Sequence, residues 1–151
     1  MDFICEAGYM GIDPGASGAA AIIAQNSTEY FDFENPNQIV DEFEKWSENY
    51  DIRLCVLEHV HAMPGNGAKS MFSFGTNFGV WLGILASFKI PFRLITPQKW
   101  QKQMLTCVPG TTKERSLTAA RQLYPKAELH LKKHHGRADA LLIATYAKGI
   151  L

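Results

Sequence analysis

At 151 residues, with 46% hydrophobic and 20% charged side chains, the chain has the composition of one globular domain rather than of a disordered or fibrous segment. No apolar run approaches the roughly 20 residues of a membrane-spanning helix, and Asp2 and Glu6 stand where a secretory leader carries lysine or arginine, so a soluble intracellular protein is expected. The formal net charge of zero hides a division: residues 1–88 hold three basic side chains against twelve acidic ones and residues 89–151 twelve against three, which points to a basic face for a polyanion, with solvated helix surfaces as the plainer alternative.

In chain order, residues 9–13 are an apolar run ending in Asp-Pro-Gly, and residues 19–24 are a second run of small apolar side chains beyond Gly18. Together they predict a strand, a tight turn and an antiparallel partner. Residues 30–33 alternate aromatic and acidic and predict a third strand. After the turn cluster Asn35-Pro36-Asn37, Ile39, Val40, Phe43 and Trp46 recur at helical spacing among acidic residues, which predicts a surface helix. Residues 54–57 read as a buried strand that delivers Glu58 at its end. Residues 59–69 contain Pro64-Gly65-Asn66-Gly67 and have no period, so a loop adjoins Glu58.

Ser70 is placed to cap a long apolar helix to about Phe88, with Phe74, Phe78, Trp81, Leu82 and Leu85 on one side and Gly75, Gly79 and Gly83 on another, a spacing that permits close helix contact. Residues 91–95 predict a strand, residues 96–104 a turn and short helix, Thr111 or Thr112 the cap of a helix to Tyr124, and residues 137–148 a final helix with Leu141, Leu142, Ala144 and Tyr146 in its apolar stretch. Leading strands followed by interleaved helices and strands predict an α/β domain with a mixed sheet. Cys5, Cys55 and Cys107 are odd in number and without CxxC spacing, so they suggest neither a disulfide framework nor a zinc site.

Three acids carry the chemical signal. Asp13 ends a hydrophobic strand and is followed by glycine-rich backbone; a turn aspartate bonding local N–H groups is its structural alternative. Glu58 ends a strand with no other reason to carry charge, a solvated strand terminus being the alternative. Asp139, in GRADALL, falls in the first turn of the predicted last helix, where the helix dipole by itself favours a carboxylate. Two acids ending neighbouring strands and one at a helix start can converge, and such hard oxygen donors suit Mg²⁺ or Mn²⁺ and phosphodiester hydrolysis. Phosphate-binding ATPases of the actin and sugar-kinase type also begin with an aspartate and glycines between two strands, but 151 residues are too few for the second domain expected to close over nucleotide.

The stretches GIDPGASG, VLEHV, LITPQKWQK, TTKERS and HHGRADALLIATYAK, in this order across residues 9–148, resemble the RuvC-type Holliday-junction resolvases of the RNase H-like superfamily, and most strongly their phage and chloroplast branch. The resemblance implies an α/β fold with an RNase H-like mixed β-sheet flanked by helices over residues 1–151. It further implies a homodimer that binds branched DNA at four-way junctions and makes symmetric nicks with Mg²⁺ or Mn²⁺, in the cytoplasm, which for a phage-encoded protein is the bacterial host's. Asp13, Glu58 and Asp139 match the family's metal-ligating acids. The fourth position departs from the pattern: Gly136 replaces one branch's acid or histidine, and His134 takes the place of the other's, with His135 as the fallback.

Lys113 matches a lysine near the scissile phosphate. Lys99 and Lys102, with Gln98 and Trp100, are similar to a backbone-binding segment, Lys132, Lys133 and Arg137 flank the last helix, and His61 and Met63 stand where the family inserts a loop residue at the junction centre. The acids alone leave open an RNase H-like nuclease acting on RNA, RNA–DNA hybrids or flapped DNA. A non-catalytic junction-binding module is the third reading, disfavoured because a binder has no use for three acids facing phosphates.

Overall fold

The computed structural model describes residues 4–61 and 63–151; Asp2 lies outside them. Strands β1 (Glu6–Asp13), β2 (Ala19–Ile23) and β3 (Thr28–Asp32) form an antiparallel meander. Helix α1 (Pro36–Asn49) starts where Asn35 accepts a hydrogen bond from the Gln38 N–H at 3.0 Å and Pro36 presets the first turn. Its Ile39, Phe43 and Trp46 are buried, whereas Val40 faces outward at 39% exposure. Strand β4 (Tyr50–Glu58) begins earlier than its apolar run: its first half alternates exposed Asp51 and Arg53, which pair at 2.7 Å, and is held by backbone pairing to Glu6–Gly8 of β1.

Helix α2 (Ala68–Ser87) starts two residues before the expected cap, so Ser70 lies inside its first turn and Gly67 precedes it with no side-chain cap. Strand β5 (Phe92–Ile95), helices α3 (Pro97–Met104) and α4 (Thr112–Leu123) and a 3₁₀ turn at Lys132–His134 lead to α5 (His135–Ile150). Thr111 and Glu114 form the reciprocal capping box that fixes the start of α4. Among the described residues no helix is long and apolar enough to cross a membrane.

The five strands make one mixed sheet in the order β3-β2-β1-β4-β5, with β4 and β5 parallel to β1. Both faces are covered, which is why β2 is apolar at every position. On one face α1 and α2 pack Phe43, Trp46, Trp81 and Leu85 against Met10, Ile12, Ile22, Cys55 and Leu57. The opposite face carries Ala21, Ile23, Leu54 and Val56 beneath Trp100 of α3, Leu117 of α4 and the alanine-rich side of α5.

Gly11 lets α5 come that close. A Cβ there would stand 2.2 Å from the Ala144 nitrogen and 2.3 Å from the Ala140 oxygen, so the helix backbone lies directly on the strand.

Candidate active site

Side chains alternate across a strand, so parity decides where the acids point. Met10 and Ile12 of β1 belong to the α1/α2 face, which sends Gly11 and Asp13 toward α5. Leu54 and Val56 of β4 belong to the α5 face, and Glu58 shares their parity. Because Ile12 pairs with Leu57, Asp13 and Glu58 end adjacent parallel strands on the same side, where open α/β sheets form their crevices. Asp139 descends from α5 onto this point.

The electrostatics record the convergence. Burial raises Asp13 above the ordinary carboxylate range, opposed by a hydrogen bond from the Gly15 N–H at 3.1 Å and by the charge of His135. The turn reading of Asp13 is therefore also correct for one of its oxygens. Burial and the neighbouring Asp13 charge push Glu58 up to about 7. Burial, Asp13 and Glu58 push Asp139 up to about 8, with Ser116 and Lys113 drawing it back. Among the described residues neither the buried Asp139 Oδ1 nor the buried Ser116 Oγ has a partner in hydrogen-bonding geometry, so Ser116 lies near Asp139 without bonding to it.

Three mutually repelling carboxylates, one with an orphaned buried oxygen, fit a divalent cation by chemistry. Among the described residues no three His, Cys, Asp or Glu side chains stand close enough around one point to enclose an ion, so the acids would have to turn inward to share one.

Other expected site residues sort into two groups. Lys113 is exposed in the first turn of α4, near enough for its charge to act on Asp139. Lys99 and Lys102 are exposed on α3, next to Glu58, and Lys132 and Lys133 are exposed just ahead of α5. His61 and Met63, the latter 62% exposed, lie on the loop after Glu58, where the His61 ring sits 4.5 Å from that of His59 and His59 stacks on Phe78.

Four expectations are corrected. His134 does not join the acids: it is buried, its Nδ1 accepts from the Leu131 N–H at 3.3 Å, and the charges acting on it are those of Arg137, His130, Glu128 and Lys133. His135 is the imidazole whose charge reaches Asp13.

Arg137 does not point outward for DNA. It binds Asp32 through two bonds of 2.8 and 2.9 Å, donates to the Glu128 carbonyl at 3.0 Å and lies over the Tyr30 ring, joining α5 to β3. Trp100 is fully buried and its indole N–H donates to Glu58 Oε2 at 2.6 Å, so it is no part of a phosphate-binding surface. Asp139 owes nothing to the first-turn dipole, because α5 begins at His135 and puts Asp139 in the second turn. Gly136 is required by packing as well, since a Cβ there would meet the Ser17 oxygen at 2.3 Å.

Trp100, Ser116 and the Gly15 N–H are the groups serving the acids that the sequence did not reveal. Trp100 is the one buried residue of α3, and its partner lies 42 residues earlier in the chain.

The same fold recurs in known proteins. Over 93% of this chain and 90% of its own, the structure of Thermus thermophilus RuvC in complex with a Holliday junction substrate superimposes with a TM-score of 0.57 at 14% identity. The fold is that of RuvC. A second Thermus thermophilus RuvC structure agrees at a TM-score of 0.56 and 17% identity over 91% of this chain and 90% of that one. In sequence, the chloroplastic Holliday junction resolvase MOC1 of Chlamydomonas reinhardtii is 37% identical over 89 residues, 58% of this chain. The chain spans about 10% of that relative's length. No protein-family model matches the sequence. The likeness to RuvC-type resolvases and the expected mixed sheet flanked by helices are thus borne out.

Proposed function

We propose that this protein is a metal-dependent endonuclease that resolves four-way DNA junctions by symmetric nicks. The observation that carries the reading is the meeting of Asp13, Glu58 and Asp139 at the ends of β1 and β4 under α5, with burial raising all three and the neighbouring carboxylate charges raising Glu58 and Asp139 further. These side chains would hold Mg²⁺ or Mn²⁺. A divalent ion held there would supply Lewis-acid chemistry for phosphodiester hydrolysis.

The remaining roles belong to the chain's own groups. Lys113 reaches the site from α4 and offsets negative charge gathering on the phosphate. His135 stands near enough to Asp13 for its charge to act on that carboxylate, and is placed to exchange a proton at the site. Exposed Lys99, Lys102, Lys132 and Lys133 bind backbone phosphates around the crevice. The loop carrying His61 and Met63 reads the unstacked junction centre.

Paired nicks need two such sites, which a homodimer provides. Support for it comes from α2: Met71 and Phe72 are 43% and 78% exposed, and a Cβ at Gly75, Gly79 or Gly83 would meet nothing, so this helix face has no partner among the described residues. The glycine spacing therefore serves no contact within one copy.

The test is cleavage of matched four-way, flap, duplex and RNA–DNA substrates with Mg²⁺ and with Mn²⁺. Preferential, symmetric nicking of the four-way substrate is expected, and its loss in Asp13→Asn with junction binding retained. Cleavage of hybrids or flaps in preference to junctions would overturn the substrate assignment.

A further inference from the structure

We propose that Trp100 is a positioning residue whose indole N–H holds one oxygen of Glu58, leaving the other turned toward the crevice. The inference rests on the reading of Glu58 as a metal ligand. Glu58 is 7% exposed, so without a donor one of its oxygens would be left unsatisfied, and the 2.6 Å bond from Trp100 Nε1 satisfies it.

An indole N–H suits this task because it is a donor only: it neither competes for a cation nor takes the carboxylate's proton. The ring is wholly buried among residues of the sheet, α4 and α5, which restricts its rotation. Its helix opens on Pro97, which presets the first turn, and the Thr96 carbonyl accepts from the Lys99 N–H at 3.1 Å. The same two-turn helix presents Lys99 and Lys102 outward, so phosphate contact and the orientation of Glu58 are borne by one rigid element.

The other two tryptophans serve as internal controls. Trp46 Nε1 donates to Glu29 at 3.0 Å in a separate network with Tyr50, and Trp81 Nε1 has no partner among the described residues.

The experiment follows the three indole N–H resonances of the metal-free, ¹⁵N-labelled protein during addition of MgCl₂, with calorimetric titration of Mn²⁺ alongside. One resonance is expected to move, the one that is already displaced in Glu58→Gln and missing from Trp100→Phe. Trp100→Phe is expected to weaken Mn²⁺ binding about tenfold or more, to leave metal-free junction binding within about twofold, and to cause no further loss in a Glu58→Gln background.

If Glu58→Gln itself leaves Mn²⁺ affinity unchanged, Glu58 is not a ligand and both readings fall. If it weakens binding while Trp100→Phe does not, or the two losses simply add, the positioning role alone is overturned. Should Trp100→Phe not fold, the wild-type spectrum decides: no indole signal responding to Mg²⁺ refutes the proposal.

Discussion

Replacing Glu58 by glutamine should stabilise the metal-free protein, although it removes a group proposed to be essential for cleavage. Glu58 lies under two burdens, burial and the adjacent Asp13 charge, which raise it from 4.5 to about 7. A carboxylate whose folded pKa exceeds its unfolded value costs nothing below about pH 4.5. Its penalty grows as pH rises and levels off once pH passes about 7. At pH 8 the full penalty is up to ~3 kcal/mol. Glutamine keeps an oxygen to accept from Trp100 and carries no charge, so most of that penalty should disappear.

For a chain of this size the gain corresponds to a rise in melting temperature of roughly 6–12 °C. Melting curves in EDTA at pH 4.5, 6 and 8 should show the two proteins converging at the acid end and separating toward pH 8. Saturating Mg²⁺ at pH 8 should narrow the gap by stabilising the wild type alone. A Glu58→Gln protein that melts at or below wild type at pH 8 in EDTA would refute the argument that like charges meet at this point.

His135→Ala should slow cleavage more than His134→Ala, whose main effect should be on stability because its imidazole is buried against Leu131 and His130. Single-turnover rates compared with melting temperatures separate the two, and the opposite order would return the site role to His134. Arg137→Ala should cost about 1–3 kcal/mol through its paired bonds to Asp32, with the salt dependence of DNA binding unchanged. Lys99→Ala or Lys102→Ala should instead lower the slope of log affinity against log salt by about one, with melting unchanged. Gly11→Ala should destabilise by at least 3 kcal/mol, since its Cβ would stand 2.2 Å from a helix nitrogen that cannot yield without moving α5; a melting temperature within about 3 °C of wild type would show that α5 is more loosely seated.

The sequence by itself determined the order and kind of the elements and named the three acids. Strand and helix periods are local properties, and a carboxylate that ends an apolar run is conspicuous against its neighbours. Boundaries were less legible: β4 starts at Asp51's neighbour Tyr50, and α5 at His135, because backbone pairing and a preceding 3₁₀ turn extend elements past their apolar signal.

What only the tertiary structure decided is which side chain meets which. His134 and His135 are adjacent in the chain, yet successive helical positions point about 100° apart. One imidazole reaches Asp13 while the other is buried against the 3₁₀ turn. Arg137 and Trp100 look like surface residues among polar neighbours, but their partners Asp32 and Glu58 lie 105 and 42 positions away. Contacts of that length are made by strand parity and by the close seating of α5 on Gly11, and no local pattern encodes them.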